Sequence, residues 1–217
     1  MASVTPAVTE FAREAQDLLR DASQFKWYVV TLLVLVIYIY AVEVERRRWD
    51  IVLAGLAFWL ADWVNEIVNA LVLQASDRAP LWAVTGDTAY LILIGLTIEI
   101  SLMFAIVGVI YAKTLPDDPQ RRILGMPNRL ALGLIMSGVA VGVEELLHAT
   151  GYFHWEYWWW NDVFFFPILI LGYLWFFLVA AHVYDLRDTR RQVRFVGAMA
   201  GIVAVALAVF GPLLEWI

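Results

Sequence analysis

Six apolar runs, each close to the 20 or so residues that a helix needs to cross a bilayer, leave this chain few folds to choose from. They fall at roughly 26–44, 50–73, 88–112, 128–149, 163–184 and 195–216. The fold expected from them is all-α: a polytopic integral membrane protein with six transmembrane helices in residues 25–217, preceded in residues 1–24 by an amphipathic interfacial helix. Composition agrees. Of 217 residues 62% are hydrophobic and 17% charged, whereas an ordinary soluble domain carries about a quarter charged residues.

In the N-terminal segment Val4, Val8, Phe11, Ala15, Leu18 and Leu19 recur at helical spacing, with Pro6 suited to a first turn. The other face mixes Glu10, Arg13, Glu14, Asp17 and Arg20. It lacks the cationic surface of a lipid-binding peptide, so this helix is expected to lie against its own bundle. No charged n-region precedes the first apolar run, and no removed signal peptide is expected. Cysteine is absent, which rules out disulfides, thiolate metal sites and iron–sulfur clusters. The net charge of −6 is dispersed and points to neither nucleic acid nor a polybasic lipid surface.

Basic residues set the expected orientation, because cytoplasmic loops are rich in Lys and Arg. Eleven of them follow the first, third and fifth runs (Arg46, Arg47, Arg48; Lys113, Arg121, Arg122, Arg129; Arg187, Arg190, Arg191, Arg194), against four on the other side (Arg13, Arg20, Lys26, Arg78). A plasma-membrane protein with both termini outside is the expectation.

An ionisable group in the bilayer core costs several kcal/mol and needs a partner or a purpose. The second run carries Asp62, Asn65, Glu66 and Asn69; Asp62, Glu66 and Asn69 stand at i, i+4 and i+7, on one helix face. Glu99 stands near the middle of the third run, and the fourth ends in Glu144, Glu145 and His148. A rise of about 1.5 Å per residue places Asp62 and Glu99 near the midplane and the others further out. A polar pocket in the outer half is expected, with residues 151–162 as its lid or as an aromatic interface belt.

Three chemistries fit this set. Glu145-x-x-His148 resembles one half of the E-x-x-H signature of di-iron carboxylate bundles. The resemblance implies a transition metal, iron first and a dinuclear centre conceivable, held by Glu66, Glu99, Glu145 and His148. Asp62, Asn69 and Glu144 would support these ligands, His154 and Glu156 would serve as loop ligands or proton donors, and the reaction would be oxidoreduction of a lipid-soluble or small apolar substrate. A second reading needs no metal: a carboxyl group among apolar side chains keeps its proton and can give it to an alkene. Glu145, Glu99 or Glu144 would then act on an isoprenoid-type lipid as isomerase, cyclase or hydratase, and Trp158, Trp159, Trp160, Phe164, Phe165 and Phe166 would stabilise the cation. Third, the polar groups join helices in a non-catalytic subunit of a larger membrane complex, or carry protons in a transporter. The expected partners are membrane lipid and a homo- or hetero-oligomer within the membrane.

Absences narrow the field. No lysine lies inside a run, so a retinal Schiff base is not expected, and no H-E-x-x-H, Walker or G-x-G-x-x-G motif occurs. His182 and His148 fall at opposite membrane faces and cannot jointly clamp a haem. Gly133, Gly138, Gly201 and Gly211 are expected at helix contacts.

Overall fold

A computed structural model describes residues 8–217. Val4 and Pro6, assigned from sequence to the N-terminal helix, lie outside the described residues. In order come α1 (Glu10–Leu18), α2 (Tyr28–Glu45), α3 (Trp49–Ser76), β1 (Trp82–Val84), β2 (Leu91–Leu93), β3 (Leu96–Thr97) and α4 (Ile98–Thr114). They are followed by β4 (Arg122–Ile123), β5 (Met126–Pro127), α5 (Asn128–Ala149), β6 (Phe153–Trp155), α6 (Phe165–Asp185) and α7 (Thr189–Leu213). Among the described residues five helices, α2, α3, α5, α6 and α7, are long and apolar enough to cross a membrane. With 17 residues, α4 is about 25 Å long.

The central helix is α3, against which α4, α6 and α7 pack. Its burial accounts for the polar residues it carries: Asp62, Glu66 and Asn69 face protein, not lipid. By contrast α2 and α7 lie at the periphery and show most of their apolar side chains. The crossing of α3 and α4 is tight because glycines meet there, with Gly55 O against the Cα of Gly108. Tyr40 of α2 donates to Ala105 O at 3.1 Å, and Trp59 Nε1 to Ser101 Oγ at 2.9 Å.

The chain is mostly helical, as expected, and three short two-stranded antiparallel ladders join the helices. Residues 88–97, read from hydropathy as the start of a third span, fold instead as the β2–β3 hairpin, with Leu91 opposite Thr97 and Leu93 opposite Leu96. Thr97 sets the boundary. Its hydroxyl accepts from Ile100 N at 3.1 Å and caps α4, so the helix starts at Ile98. A buried apolar hairpin and a helix segment look alike in hydropathy. The second ladder pairs β1 with β6, Trp82 opposite Trp155 and Val84 opposite Phe153. It ties together two connections at one end of the bundle, the aromatic end.

Helix α1 lies across that same end. It begins at Glu10, later than its sequence periodicity suggests, because Thr9 caps it. Thr9 N donates to Arg78 O at 3.0 Å, Arg20 N donates to Leu91 O at 2.9 Å, and Ala12 and Ala15 are fully buried. The opposite, basic end is closed by the Arg129–Asp185 pair at 2.6 Å, the Lys113–Glu43 pair and the small β4–β5 hairpin.

Candidate functional site

Beneath the β1–β6 ladder, α3, α4, α5 and α6 enclose a cavity of about 230 Å³. Asp62 and Glu66 reach it from α3, and Glu144 from α5. Asp62 is 3% exposed and Glu66 4%. Each of these three carboxyls has one buried oxygen (Asp62 Oδ2, Glu66 Oε2, Glu144 Oε2) without a hydrogen-bond partner among the described residues. Their remaining contacts orient them. Trp82 Nε1 donates to Glu66 Oε1 at 3.1 Å, and Tyr173 of α6 lies beside Glu144 on the cavity wall. Among the described residues no Lys, Arg or His forms an ion pair with any of the three. Buried polar groups without partners are costly and rare in native proteins, so three facing one cavity set it apart from an ordinary packed core.

The scaffold around the acids is specific. Asn69, fully buried one turn beyond Glu66, donates through Nδ2 to Trp82 O at 2.8 Å. Its Oδ1 accepts from Leu81 N at 2.7 Å and Trp82 N at 3.2 Å. This one side chain replaces three backbone bonds and fixes the strand that brings Trp82 to Glu66. Asn69→Leu leaves those backbone groups buried and unpaired, each costing about 1–3 kcal/mol. We expect the variant to lose at least about 2–4 kcal/mol in detergent-titrated unfolding, and an unchanged midpoint would refute this role. Gly95 makes room for the same corner: a Cβ there would stand 2.3 Å from Trp82 Nε1 and 2.7 Å from Asn69 Nδ2.

Across the cavity α6 is locally π-helical at Ile168–Leu174. Asn65 Nδ2 donates to Leu171 O at 3.1 Å and Gly172 O at 3.4 Å, satisfying carbonyls that the wider helix frees. Such π turns recur at functional sites, and this one presents Tyr173 to Glu144. The rest of the wall is aromatic and aliphatic, with Phe104, Phe153, Trp160 and Phe176 prominent. Trp160 is 3% exposed and stacks on Trp82 at 5.6 Å, so the tryptophan-rich connection closes the cavity. Its neighbours do not: Trp158, Phe164, Phe165 and Phe166 point outward. Tyr152 also lines the cavity, and burial, aided by the Glu99 charge, pushes its hydroxyl above the usual phenol range.

The residues singled out from sequence separate into two groups. Asp62, Glu66 and Glu144 converge on the cavity; Glu145 and His148 do not line it. His148 Nδ1 donates to Phe153 O at 2.9 Å and its ring lies 4.7 Å from that of Trp155. His154 stacks on Phe11 at 3.7 Å, and burial lowers its pKa, which favours the neutral ring. Glu156 accepts from Thr9 Oγ1 at 2.6 Å. Glu99 is not at mid-helix as expected but in the first turn of α4. There it accepts from Thr88 Oγ1 at 2.8 Å, from Ala89 N at 2.7 Å and from Tyr28. It lines the cavity, yet both of its oxygens are engaged in clasping α2 and the hairpin. Among the described residues no three His, Asp or Glu side chains are grouped to hold a metal ion. Tyr173, Trp82 and Asn65 were not assigned to the site from sequence; the available signal was a hydroxyl in the central stretch of an otherwise apolar run.

These features define a multi-pass helical membrane protein with an acidic, aromatic-walled cavity in its interior. The chain belongs to a family described as an uncharacterized membrane protein family, whose model matches residues 9–212. It is 51% identical over 209 residues to an uncharacterized protein of Archaeoglobus fulgidus, covering 96% of this chain and 99% of the relative. A second protein of that organism, also uncharacterized, is 45% identical over 53 residues, which cover 24% of this chain and 95% of the relative. No solved structure matches the chain.

Proposed function

We propose that this protein is a metal-free acid–base enzyme acting on an isoprenoid-type lipid in the plasma membrane. In this reading the bundle spans the bilayer six times, with α4 and its capping hairpin as the third crossing and both termini outside, so the cavity lies in the outer half. The observation that carries the proposal is the set of three carboxyl groups, each with an unpaired oxygen, inside an apolar and aromatic cavity lined by no cation among the described residues.

Glu144 is the proton donor. Its carboxyl O–H bond breaks, a new C–H bond forms at one carbon of the lipid's double bond, and the alkene π pair becomes that bond. The neighbouring carbon is left positive. Tyr173 steadies the resulting Glu144 carboxylate, and the faces of Trp82, Trp160 and Phe104 attract the carbocation. The Glu144 carboxylate then removes a proton from an adjacent carbon, giving the isomerised alkene and restoring its own carboxyl, or takes the proton lost by a water that adds to the cation. No oxidant or reductant enters. Asp62 and Glu66, on one face of α3, line the cavity beside the reacting carbons.

The test uses the protein purified in mild detergent with its co-purifying lipid, incubated in deuterated water. The expected result is carbon-bound deuterium in that lipid, with the mass otherwise unchanged or greater by one water. Bound lipid that acquires neither deuterium nor water would overturn the proposal. Elemental analysis tests the iron reading of Glu66, Glu99, Glu145 and His148. We expect only traces of transition metal, unaltered by Glu145→Ala or His148→Ala; stoichiometric metal that those variants lose would favour oxidoreduction instead, since an intact ligand set holds its metal detectably.

A further inference from the structure

Helices α4 and α5 touch at the basic end, where Tyr111 Oη donates to Arg129 O at 3.2 Å. Both pack against α6, and towards the aromatic end the cavity lies between them. Its walls there are Ile100, Met103 and Phe104 from α4 and Val143, Glu144 and Leu147 from α5. Met103 and Val143 stand at the mouth, 49% and 46% exposed. The surface running away from the mouth is apolar too: Ile110 on α4, and Ile135, Val139 and Leu146 on α5, are exposed. An opening bordered this way faces hydrocarbon. The other route, from the aromatic end, is covered by Tyr152, Phe153 and Trp160.

Volume sets what can enter. A cavity of roughly 150 Å³ holds a benzene ring, so about 230 Å³ holds one ring with a short branch and not a whole membrane lipid. We infer that the gap between α4 and α5 is a lateral portal, through which one end group of a long apolar lipid enters the cavity from the bilayer while its chain stays in the slot. The inference rests on reading the cavity as a lipid site and adds the substrate class: a long-chain hydrocarbon lipid that reacts at its terminal ring or branched end. Glu144 follows Val143 directly in the chain, so the entering end passes the proton donor before it reaches Asp62 and Glu66.

The chain has no cysteine, which permits a test without turnover. Leu147→Cys and, on the opposite wall, Ile100→Cys are reconstituted in lipid vesicles. Each is treated with N-dodecyl maleimide, which partitions into the bilayer, or with a charged maleimide confined to water. Labelling by the dodecyl reagent alone is expected, falling to the level of the cysteine-free protein when Met103→Trp and Val143→Trp fill the mouth. Ile202→Cys, 63% exposed on α7, controls for folding and reagent and should label with or without the tryptophans. Labelling by the charged reagent that the tryptophans leave unchanged places the entrance at the aqueous face and overturns the portal. Failure of both cavity cysteines to label while Ile202→Cys does so also overturns it. Either failure leaves the acid–base reading intact, because that stands or falls on deuterium uptake.

Discussion

Glu144→Gln lowers solvent deuterium uptake by the bound lipid by about 10²- to 10⁴-fold, the usual worth of a positioned general acid, while the lipid stays bound. The amide keeps the shape and the Tyr173 contact of the carboxyl but has no acidic proton to give. Glu145→Gln is the matched control: it alters the next residue of the same helix, which does not line the cavity, and uptake should stay near the wild-type rate. Tyr173→Phe falls between them, because it removes only the hydroxyl beside Glu144 that would donate to the carboxylate as it forms, worth about 1.5–3 kcal/mol for a charged partner. The reading requires these three to rank in that order. Equal losses in Glu144→Gln and Glu145→Gln would assign the effect to the charge or packing of the α5 terminus, not to proton donation.

That ranking reverses the weight the sequence puts on α5. There the E-x-x-H spacing draws attention to Glu145 and His148, whereas the fold points Glu144 inward and turns His148 to a strand carbonyl. Successive helical residues differ by about 100° in direction, so adjacent acids cannot be ranked until a neighbour is known. On α3 the spacing alone says more. The i, i+4, i+7 spacing of Asp62, Glu66 and Asn69 fixes one face by itself, and all three are buried on it. What periodicity leaves out is the job of each: Asn69 holds backbone, Glu66 accepts one bond from Trp82 Nε1, and one oxygen each of Asp62 and Glu66 has no partner among the described residues.

Helix existence was legible from hydropathy because lipid-facing and buried positions are both apolar over a whole span. The hairpin at 91–97 was not, for the same reason. Its leucines are buried under α1 and α3 and count towards an apolar run whatever their backbone does. Misplacing it put Glu99 in the membrane interior, when it stands in the first turn of α4 and clasps the segment before the hairpin. Trp82 and Trp160 belong to the site through a ladder pairing residues 82–84 with 153–155, a contact between distant segments that no local pattern announces.

Glycine shows the same limit and gives a further large stability effect. Gly108→Ala should destabilise the protein by about 2–3 kcal/mol, the upper part of the overpacking range, and Gly108→Leu should prevent folding. A Cβ at 108 would stand 2.7 Å from Gly55 O and 2.8 Å from Phe58 Cβ. One of those atoms is backbone and the other is bonded to it, so neither can rotate away and α3 and α4 must separate. Separation also shifts Phe104 and Met103 relative to Asp62, coupling the packing defect to the cavity. The glycines expected from sequence at helix contacts behave otherwise: at Gly138, Gly201 and Gly211 an added Cβ meets nothing within 4 Å, and only Gly133 is close, 3.0 Å from Leu174 Cδ1. Gly201→Ala should therefore be neutral or stabilising by about 0.4–1 kcal/mol through the unfolded state. Reversible unfolding in mixed micelles compares the two alanine variants directly, and equal midpoints would mean that α3 and α4 do not cross at Gly55 and Gly108.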